Sequence, residues 1–286
     1  MTRTYSRRSF LKTSAIATAA SLLPSLPLRA SVATMGGSAD PHAHRLANGW
    51  EFLQGSLGSP WEAWHSEEVA IWQQVAMPHC FNAYDGCDPD VPYYRGNGWY
   101  RTHVPIANPF KNGRTLLHFE GAGQTTTVYV GEKLAGKHTG GYDEFVFDIT
   151  DLLPTSDNIK TATNKGVPIS VLCDNSRDQD RMPSDLSDFS LYGGLYRHVN
   201  MVFVPEVSFE TIHIHTELAS IAGQIVSVLG SLRNPTASTE QLQISIEVVD
   251  ANGTQIHASK HTVAPWKDAT ALTSFTIQKP HLWRGG

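Results

Sequence analysis

The sequence predicts an all-β protein built as two successive antiparallel sandwiches, the second smaller than the first. Three observations carry this expectation. Short runs in which apolar and polar residues alternate recur along the chain, the pattern of strands with one covered face. Aromatics are plentiful (7 Trp, 9 Tyr, 11 Phe), and 23 Gly with 16 Pro supply turns between such strands. No long amphipathic helical stripe, no fixed-period repeat and no strand-helix-strand alternation occurs, which argues against bundles, solenoids and parallel α/β sheets. The 286 residues, 41% hydrophobic and 17% charged, are ordinary globular composition with length for one large or two modest domains.

Residues 1–33 stand apart from the fold. Ser6-Arg7-Arg8-Ser9-Phe10-Leu11-Lys12 resembles the twin-arginine export signal, in which the arginine pair is what the translocase reads. Thr13 to Leu28 is mildly apolar but broken by Pro24 and Pro27, short of the roughly 18 uninterrupted apolar residues of a membrane span. Ser31-Val32-Ala33 offers small residues to a signal peptidase, and no cysteine before Cys80 could carry a lipid. The expectation is an exported protein, periplasmic or extracellular, with the twin-arginine translocase as a partner and no stable membrane anchor.

Residues 34–47 are polar and Gly/His-rich, hence a linker, and residues 48–205 form the first domain. Trp50-Glu51-Phe52-Leu53 reads as its first strand. Arg95-Gly96-Asn97-Gly98 supplies turn residues, after which Trp99 to Ile106 alternates as a strand with one covered face. Leu116 to Glu120 and Thr125 to Val130 follow, and Gly131-Glu132 suits a type II′ hairpin, with glycine at the first central position. Phe145 to Ile149 alternates again and can end in one helical turn near Thr150. Asp157 to Lys165 is a polar surface loop, and Val167 to Asp174 is a short buried strand. Ser184 to Val199 then reads as a loop feeding a strand over Leu195 to Val204, with Gly193-Gly194 permitting a turn closed to other residues. After Pro205 the pattern restarts with Val207 to Thr216, Gln224 to Asn234, Gln241 to Asp250 and Thr270 to Gln278, and Asp250-Ala251-Asn252-Gly253 is a hairpin signal. This second domain spans residues 206–280.

Four stretches, in order, resemble glycoside hydrolase family 2, the group of β-galactosidases, β-glucuronidases and β-mannosidases. They are Pro92 to Arg101, Leu117 to Ala122, Gly140 to Thr150, and Ser184 to Val199. Trp72, Pro78-His79 and Asn82 resemble the family's opening line, with Phe81 where tryptophan is frequent. The resemblance implies a jelly-roll-like (galactose-binding-domain-like) sugar-binding sandwich followed by an immunoglobulin-like one. It also makes residues 281–286, which hold the end of the closing line Ile277 to Trp283, the start of the link to a catalytic barrel not present in these residues.

Charge and composition narrow the ligand class. Formal charge is −5, and because residues 1–33 hold five of the 22 basic residues and none of the 27 acidic ones, the remainder carries −10. A phosphate-neutralising face for nucleic acid is therefore not expected, whereas a neutral carbohydrate fits. Cys80, Cys87 and Cys173 are odd in number and match no zinc spacing, so they read as structural or free thiols. The pairs His42/His44 and His213/His215 read as incidental. No metal site and no cofactor is expected.

The chemistry-bearing stretch is Ser184 to Val199. Short carboxylates (Asp185, Asp188) beside Phe189, Tyr192 and Tyr196 suit a sugar, the acids accepting from hydroxyls and the rings facing C–H edges. On residue chemistry alone the same stretch also reads as a tight corner with two caps. The resemblance implies that Asp188 reaches the edge of the sugar site in galactosidase-like members, with Asn97 a second edge contact and Arg197 pairing within the fold. It implies no catalytic residue here: the family runs a retaining mechanism with two barrel glutamates, and Glu120, Glu144 and Glu247 match no catalytic motif. The function expected is thus the non-catalytic N-terminal portion of an exported β-galactosidase-like glycosidase. A stand-alone carbohydrate-binding or scaffold protein is the alternative.

Overall fold

The structure, a computed structural model, describes residues 42–65, 71–88, 90–154, 166–184, 186, 189–220, 223–278 and 280. The signal residues Arg7, Arg8, Phe10, Leu11 and Lys12, the acids Asp185 and Asp188, the loop 157–165 and the closing residues 281–286 lie outside the described residues. Two compact units are present, one within Pro41–Val204 and one within Pro205–Gly286.

In chain order the first unit contains β1 (Ala43–Arg45), β2 (Trp50–Gln54), the single-turn helix α1 (Glu62–His65), β3 (Gln73–Val75), β4 (Asn97–Val104) and β5 (Arg114–Phe119). β6 (Thr125–Val130), β7 (Lys133–Thr139), β8 (Phe145–Asp148), β9 (Val167–Asp174) and β10 (Val199–Val204) complete it. A four-stranded sheet of order β1-β10-β5-β8 faces a six-stranded sheet of order β3-β2-β4-β9-β6-β7, with every pairing antiparallel. Trp50, Tyr100, Val128 and Ile169 from one sheet meet Leu117, Phe119, Val199 and Met201 from the other in one continuous core. Burying side chains of this size stabilises by about 1.5–3 kcal/mol each relative to exposure.

β4 departs from the expected one-sided alternation. It lies between β2 and β9, and both of its faces are covered. On the face away from the core, the Arg101 guanidinium lies 4.3 Å from the ring centre of Trp72 and 5.8 Å from that of Trp64. It also donates to Glu51 at 2.6 Å and to the Ala63 carbonyl at 2.7 Å. The segment around α1 is thereby pinned onto the sheet by a shielded cation on aromatic faces, an arrangement worth about 0.5–2 kcal/mol per ring. At the β6–β7 hairpin, Gly131 adopts φ +59°, as the two-residue turn between Val130 and Lys133 requires. A short 3-10 helix, Thr150–Leu152, follows β8.

Two further differences from the sequence pattern concern strand limits. Residues 43–45, inside the predicted linker, form β1 because the chain pairs along the edge of β10, where Arg45 also reaches Glu120 at 3.3 Å. Leu195 to His198, predicted as strand, precede β10: Gly194 bridges Gly123 and the Leu195 carbonyl accepts from His79, so this segment crosses between the sheets.

The second unit is likewise all-β. β11 (Ser208–Ser220), β12 (Gly223–Arg233) and β15 (Thr270–Gln278) form one antiparallel sheet in the order β11-β12-β15, and β13 (Leu242–Val249) pairs with β14 (Gln255–Val263). β14 was not among the predicted strands, since its two faces carry similar residues and the alternation is lost. The Asp250 carboxylate accepts from the amides of Asn252 and Thr254, closing the predicted hairpin, with Gly253 at φ +84°.

Candidate functional site

Three strands of the six-stranded sheet finish at the same end of the first unit, where Asn97 of β4 and Thr125 of β6 both oppose Asp174 of β9. The loops leaving this end include those around residues 81–96, 121–124, 140–143 and 175–192. Three of the four sequence stretches singled out above therefore contribute to one loop cluster, and the fourth, Leu117 to Ala122, enters it through Gly121 and Ala122.

The cluster is organised by one backbone oxygen. The Leu191 carbonyl accepts from Tyr93 Oη at 2.7 Å, Asn82 Nδ2 at 3.0 Å and Asn175 Nδ2 at 3.2 Å. Both asparagines are buried, and each turns its own carbonyl oxygen to a backbone amide: Asn82 Oδ1 accepts from Gly193 at 2.9 Å and Asn175 Oδ1 from Gly96 at 2.8 Å. Asn82 Nδ2 also donates to the Tyr94 carbonyl, and Arg95 Nε donates to the Asn175 carbonyl at 2.6 Å. Backbone groups removed from water without partners cost about 1–3 kcal/mol each, so this set of side chains is what makes a buried junction of loops tolerable.

Gly193-Gly194 is the corner at which the loop turns into the sandwich. A β-carbon on Gly193 would come within 2.3 Å of the Phe81 ring, and one on Gly194 within 2.4 Å of Tyr100 Oη, at φ +111°. The corner is thus closed to side chains by packing as well as by backbone conformation. Gln124, also buried, donates to the Pro183 carbonyl at 3.0 Å, and Gly141 donates to that of Met182 at 2.9 Å, fixing the far side of the loop.

Around this polar junction the loops expose large apolar side chains. Tyr84 is 82% exposed, Met182 74% and Leu186 75%, with Tyr142, Phe189 and Tyr192 about half exposed. Contacts join their loops: a β-carbon on Gly86 would meet Ser190 Oγ, one on Gly123 the Tyr192 carbonyl, and one on Gly141 Pro183. An exposed apolar rim around a buried polar junction is the anatomy of a surface made to be covered.

Of the two predicted edge residues, Asn97 is described: it opens β4, and its Nδ2 donates to Ser56 Oγ at 2.7 Å on the same rim. Asp188 lies outside the described residues, but both ends of its loop are held, by Ser184 donating to the Gln179 carbonyl on one side and by the Leu191 junction on the other. Arg197 donates to the carbonyls of Glu120 and Tyr142, a role within the fold. Glu120 is taken by Arg45 and Asn200, and Glu144 lies 3.3 Å from His118. Asn175, Tyr93 and Gln124 carry the junction without any signal in the local sequence.

Electrostatically the floor is quiet. Burial pushes the Tyr93 and Tyr94 hydroxyls up and that of Tyr196 to about 12, so all three are neutral, and Tyr93 and Tyr94 donate to the carbonyls of Leu191 and Asn97. Burial acts upward on the Asp174 carboxyl, but bonds from Ser176 and the Arg181 guanidinium outweigh it and hold it below its ordinary range. Among the described residues no group of three His, Cys, Asp or Glu side chains could hold a metal ion. All three cysteines are free thiols.

Comparison with known proteins agrees with this architecture. Residues 55–205 match the sugar binding domain of glycosyl hydrolases family 2, residues 207–286 match a second model of that family, and residues 4–24 match the twin-arginine translocation signal, which directs export across the cytoplasmic membrane. A solved β-glucuronidase of Parabacteroides merdae superposes with a TM-score of 0.79 at 44% identity, over 84% of this chain and 32% of that one. A putative β-glucuronidase of Formosa agariphila is 30% identical over 75% of this chain and 24% of its own length. A β-galactosidase of Thermoanaerobacter pseudethanolicus is 30% identical over 53% of this chain and 20% of its own. The chain thus spans a third or less of these relatives, and no helix among the described residues is long and apolar enough to cross a membrane. With the family's sugar binding domain over residues 55–205 and its second model over 207–286, this chain belongs to glycoside hydrolase family 2.

Proposed function

We propose that this chain is the N-terminal, non-catalytic part of an exported retaining β-glycosidase that acts on β-glucuronides, and that its loop cluster packs against a catalytic barrel and borders the sugar. The observation that carries the reading is the exposed apolar rim over a floor held by Asn82 and Asn175, which suits a covering protein domain far better than solvent. The residues we propose for the sugar's edge are Asp188, from the family resemblance, and Asn97 at the start of β4. The galactoside expected from the sequence gives way to a glucuronide because relatives of that name match at 44% identity over 84% of this chain and at 30% over 75%, against 30% over 53% for the β-galactosidase. Export places the enzyme in the periplasm or beyond.

Retaining hydrolysis needs two carboxyl groups roughly 5–5.5 Å apart across the anomeric centre, one with its pKa raised. Of the carboxylates on the rim side, Asp174 is paired with Arg181 and Asp85 accepts from the Tyr94 amide. The purified chain, assayed against nitrophenyl β-glucuronide, β-galactoside and β-mannoside, is therefore expected to be inactive. Turnover well above a blank, abolished by Asp188→Asn, would overturn the non-catalytic assignment. In the polypeptide carrying its barrel, Asp188→Asn is expected to raise KM with little change in stability. A preference of that polypeptide for galactoside over glucuronide would overturn the sugar assignment alone.

A further inference from the structure

Four asparagines of this chain precede a glycine: Asn48, Asn97, Asn112 and Asn252. The pair is chemically labile, because a glycine amide, unshielded by any side chain, can close onto the carboxamide carbon of the asparagine before it and form a cyclic imide. Ring closure needs that amide free of its own hydrogen bond and the asparagine side chain free to swing over it. Folding decides which pair meets both conditions.

Three of the four are held. Asn97 opens β4 with its Nδ2 bonded to Ser56 Oγ at 2.7 Å, and Gly98 is buried in that strand between β2 and β9. The Gly113 amide donates to the Phe110 carbonyl at 3.1 Å, and the Gly253 amide to the Asp250 carbonyl at 3.0 Å. In that last hairpin the Asp250 carboxylate also accepts from the Asn252 amide at 2.8 Å, so the turn has to open before the ring can close.

Asn48 and Gly49 are the exception. Both are exposed, in the bend between β1 and β2, and among the described residues neither the Asn48 side chain nor the Gly49 amide has a hydrogen-bond partner. Gly49 stands at φ +79°, a conformation that favours glycine, so the fold itself retains the labile pair. The bend has little slack. On its near side the Leu46 amide donates to the Val199 carbonyl at 2.9 Å, and the Ala47 carbonyl accepts from the Met77 amide at 2.8 Å. On its far side the Gly49 carbonyl accepts from Thr102 Oγ1 at 2.8 Å, and fully buried Trp50 reaches back through Nε1 to the Leu46 carbonyl at 2.8 Å. The chain thus crosses from the four-stranded sheet to the six-stranded one between anchors on both.

We propose that Asn48 is a modification site, the position at which this protein deamidates in water without an enzyme, and that one of the two products loosens the join between the sheets. The Gly49 nitrogen gives its proton to hydroxide or buffer base and bonds to Asn48 Cγ; the Cγ–Nδ2 bond breaks, and ammonia leaves after taking up a proton. Water then opens the imide. Cleavage between nitrogen and Cγ gives aspartate on the ordinary backbone, whereas cleavage between nitrogen and the main-chain carbonyl carbon leaves the chain running through Cβ and Cγ as isoaspartate. Either way asparagine and water become a carboxylic acid and ammonia. Aspartate at an exposed position without partners leaves the packing as it was. Isoaspartate lengthens the backbone by one carbon between anchors that cannot all stay in place, because a close-packed interior transmits such a displacement and does not absorb it. None of this depends on which sugar the protein takes.

Ageing the 286-residue chain at mildly alkaline pH, with its peptides mapped by mass spectrometry, tests the assignment. In the folded protein Asn48 is expected to convert at least about tenfold faster than Asn97, Asn112 or Asn252. In urea the four rates are expected to converge, since all four share glycine as the next residue. Asn48→Ser is expected to abolish the early isoaspartate, counted by enzymatic methylation of isoaspartyl groups. After chromatographic separation the isoaspartate form is expected to unfold at lower urea than the aspartate form. Faster conversion at any of the other three positions, or an undiminished preference for Asn48 in urea, overturns the site. An isoaspartate form with the urea midpoint of the unaged protein overturns its consequence for the sheets.

Discussion

Replacing Asn82 by alanine probes the junction on which the loop cluster depends. Its side chain makes four bonds, from Nδ2 to the carbonyls of Leu191 and Tyr94 and to Oδ1 from the Gly193 amide and the Cys80 thiol. Leu191 keeps Tyr93 and Asn175 in the variant, so that carbonyl stays satisfied. The Gly193 amide does not: it is buried against Phe81 and has its bond to Asn82 alone among those described. One orphaned buried amide costs about 1–3 kcal/mol, and a partly water-accessible Tyr94 carbonyl adds about 1 kcal/mol, giving roughly 3 kcal/mol in all. At a urea slope of about 2 kcal/mol/M the midpoint of the first unit falls by about 1.5 M. Exchange of β4 and β9 amides in urea isolates this unit from the second, whose transition serves as an internal reference. Asn97→Ala, which loses only its exposed bond to Ser56, is expected to shift the midpoint by no more than about 0.3 M. A shift for Asn82→Ala no larger than that for Asn97→Ala would refute the idea that the junction holds the loop.

Three other outcomes are expected. Gly194→Ala, at φ +111° with Tyr100 Oη and the His79 carbonyl in the way, should destabilise the first unit by about 3 kcal/mol or more, and a soluble variant with wild-type urea midpoint would count against the corner. Burial against Phe52 and Tyr100 lowers the His79 pKa, so the unfolded chain takes up a proton near pH 6.5 before the folded one does; stability is present above that pH and declines as pH falls through the window below it. His79→Gln should flatten this decline between pH 7 and 5, and an unchanged slope would show that other groups cause it. Thiol titration of the native protein should find Cys87 fast, Cys80 slower and Cys173 silent until unfolding, since Cys87 is exposed while burial raises the other two thiols; rapid labelling of Cys173 would contradict the packing of β9.

Strand identity was largely legible because most strands of the first unit carry their inner face as a local alternation. β6 and β9 of the first unit and β15 of the second fall at their predicted limits. The pattern failed where burial is supplied from outside the strand. β4 is covered on its second face by Trp64 and Trp72, the latter 29 residues before Arg101, so its polar Arg101 looked solvent-facing in sequence and is buried in the fold. β14 failed in the opposite sense: Ile256 and Ala258 are exposed while His257 and Ser259 turn inward, and a strand whose polar residues face a thin core has no hydrophobic period to read.

The candidate site divides along the same line. Its corner was visible, because Gly193-Gly194 is a local statement about backbone, and so were two aromatics of its rim, Phe189 and Tyr192. The floor was not, because its bonds span the chain: Asn82 reaches Leu191 across 109 residues and Gly193 across 111, and Asn175 reaches back 79 residues to Gly96. A buried asparagine is indistinguishable in sequence from a turn asparagine such as Asn97, since the same amide caps a loop in water or replaces water inside a junction. What separates them is how many neighbours lose their solvent when the loops come together. At Asn82 and Asn175 several backbone groups do, and each side chain uses both ends of its amide to replace what they lose. At Asn97 the amide meets one exposed hydroxyl, that of Ser56, and replaces no water lost by buried backbone groups, so the same side chain does little structural work there.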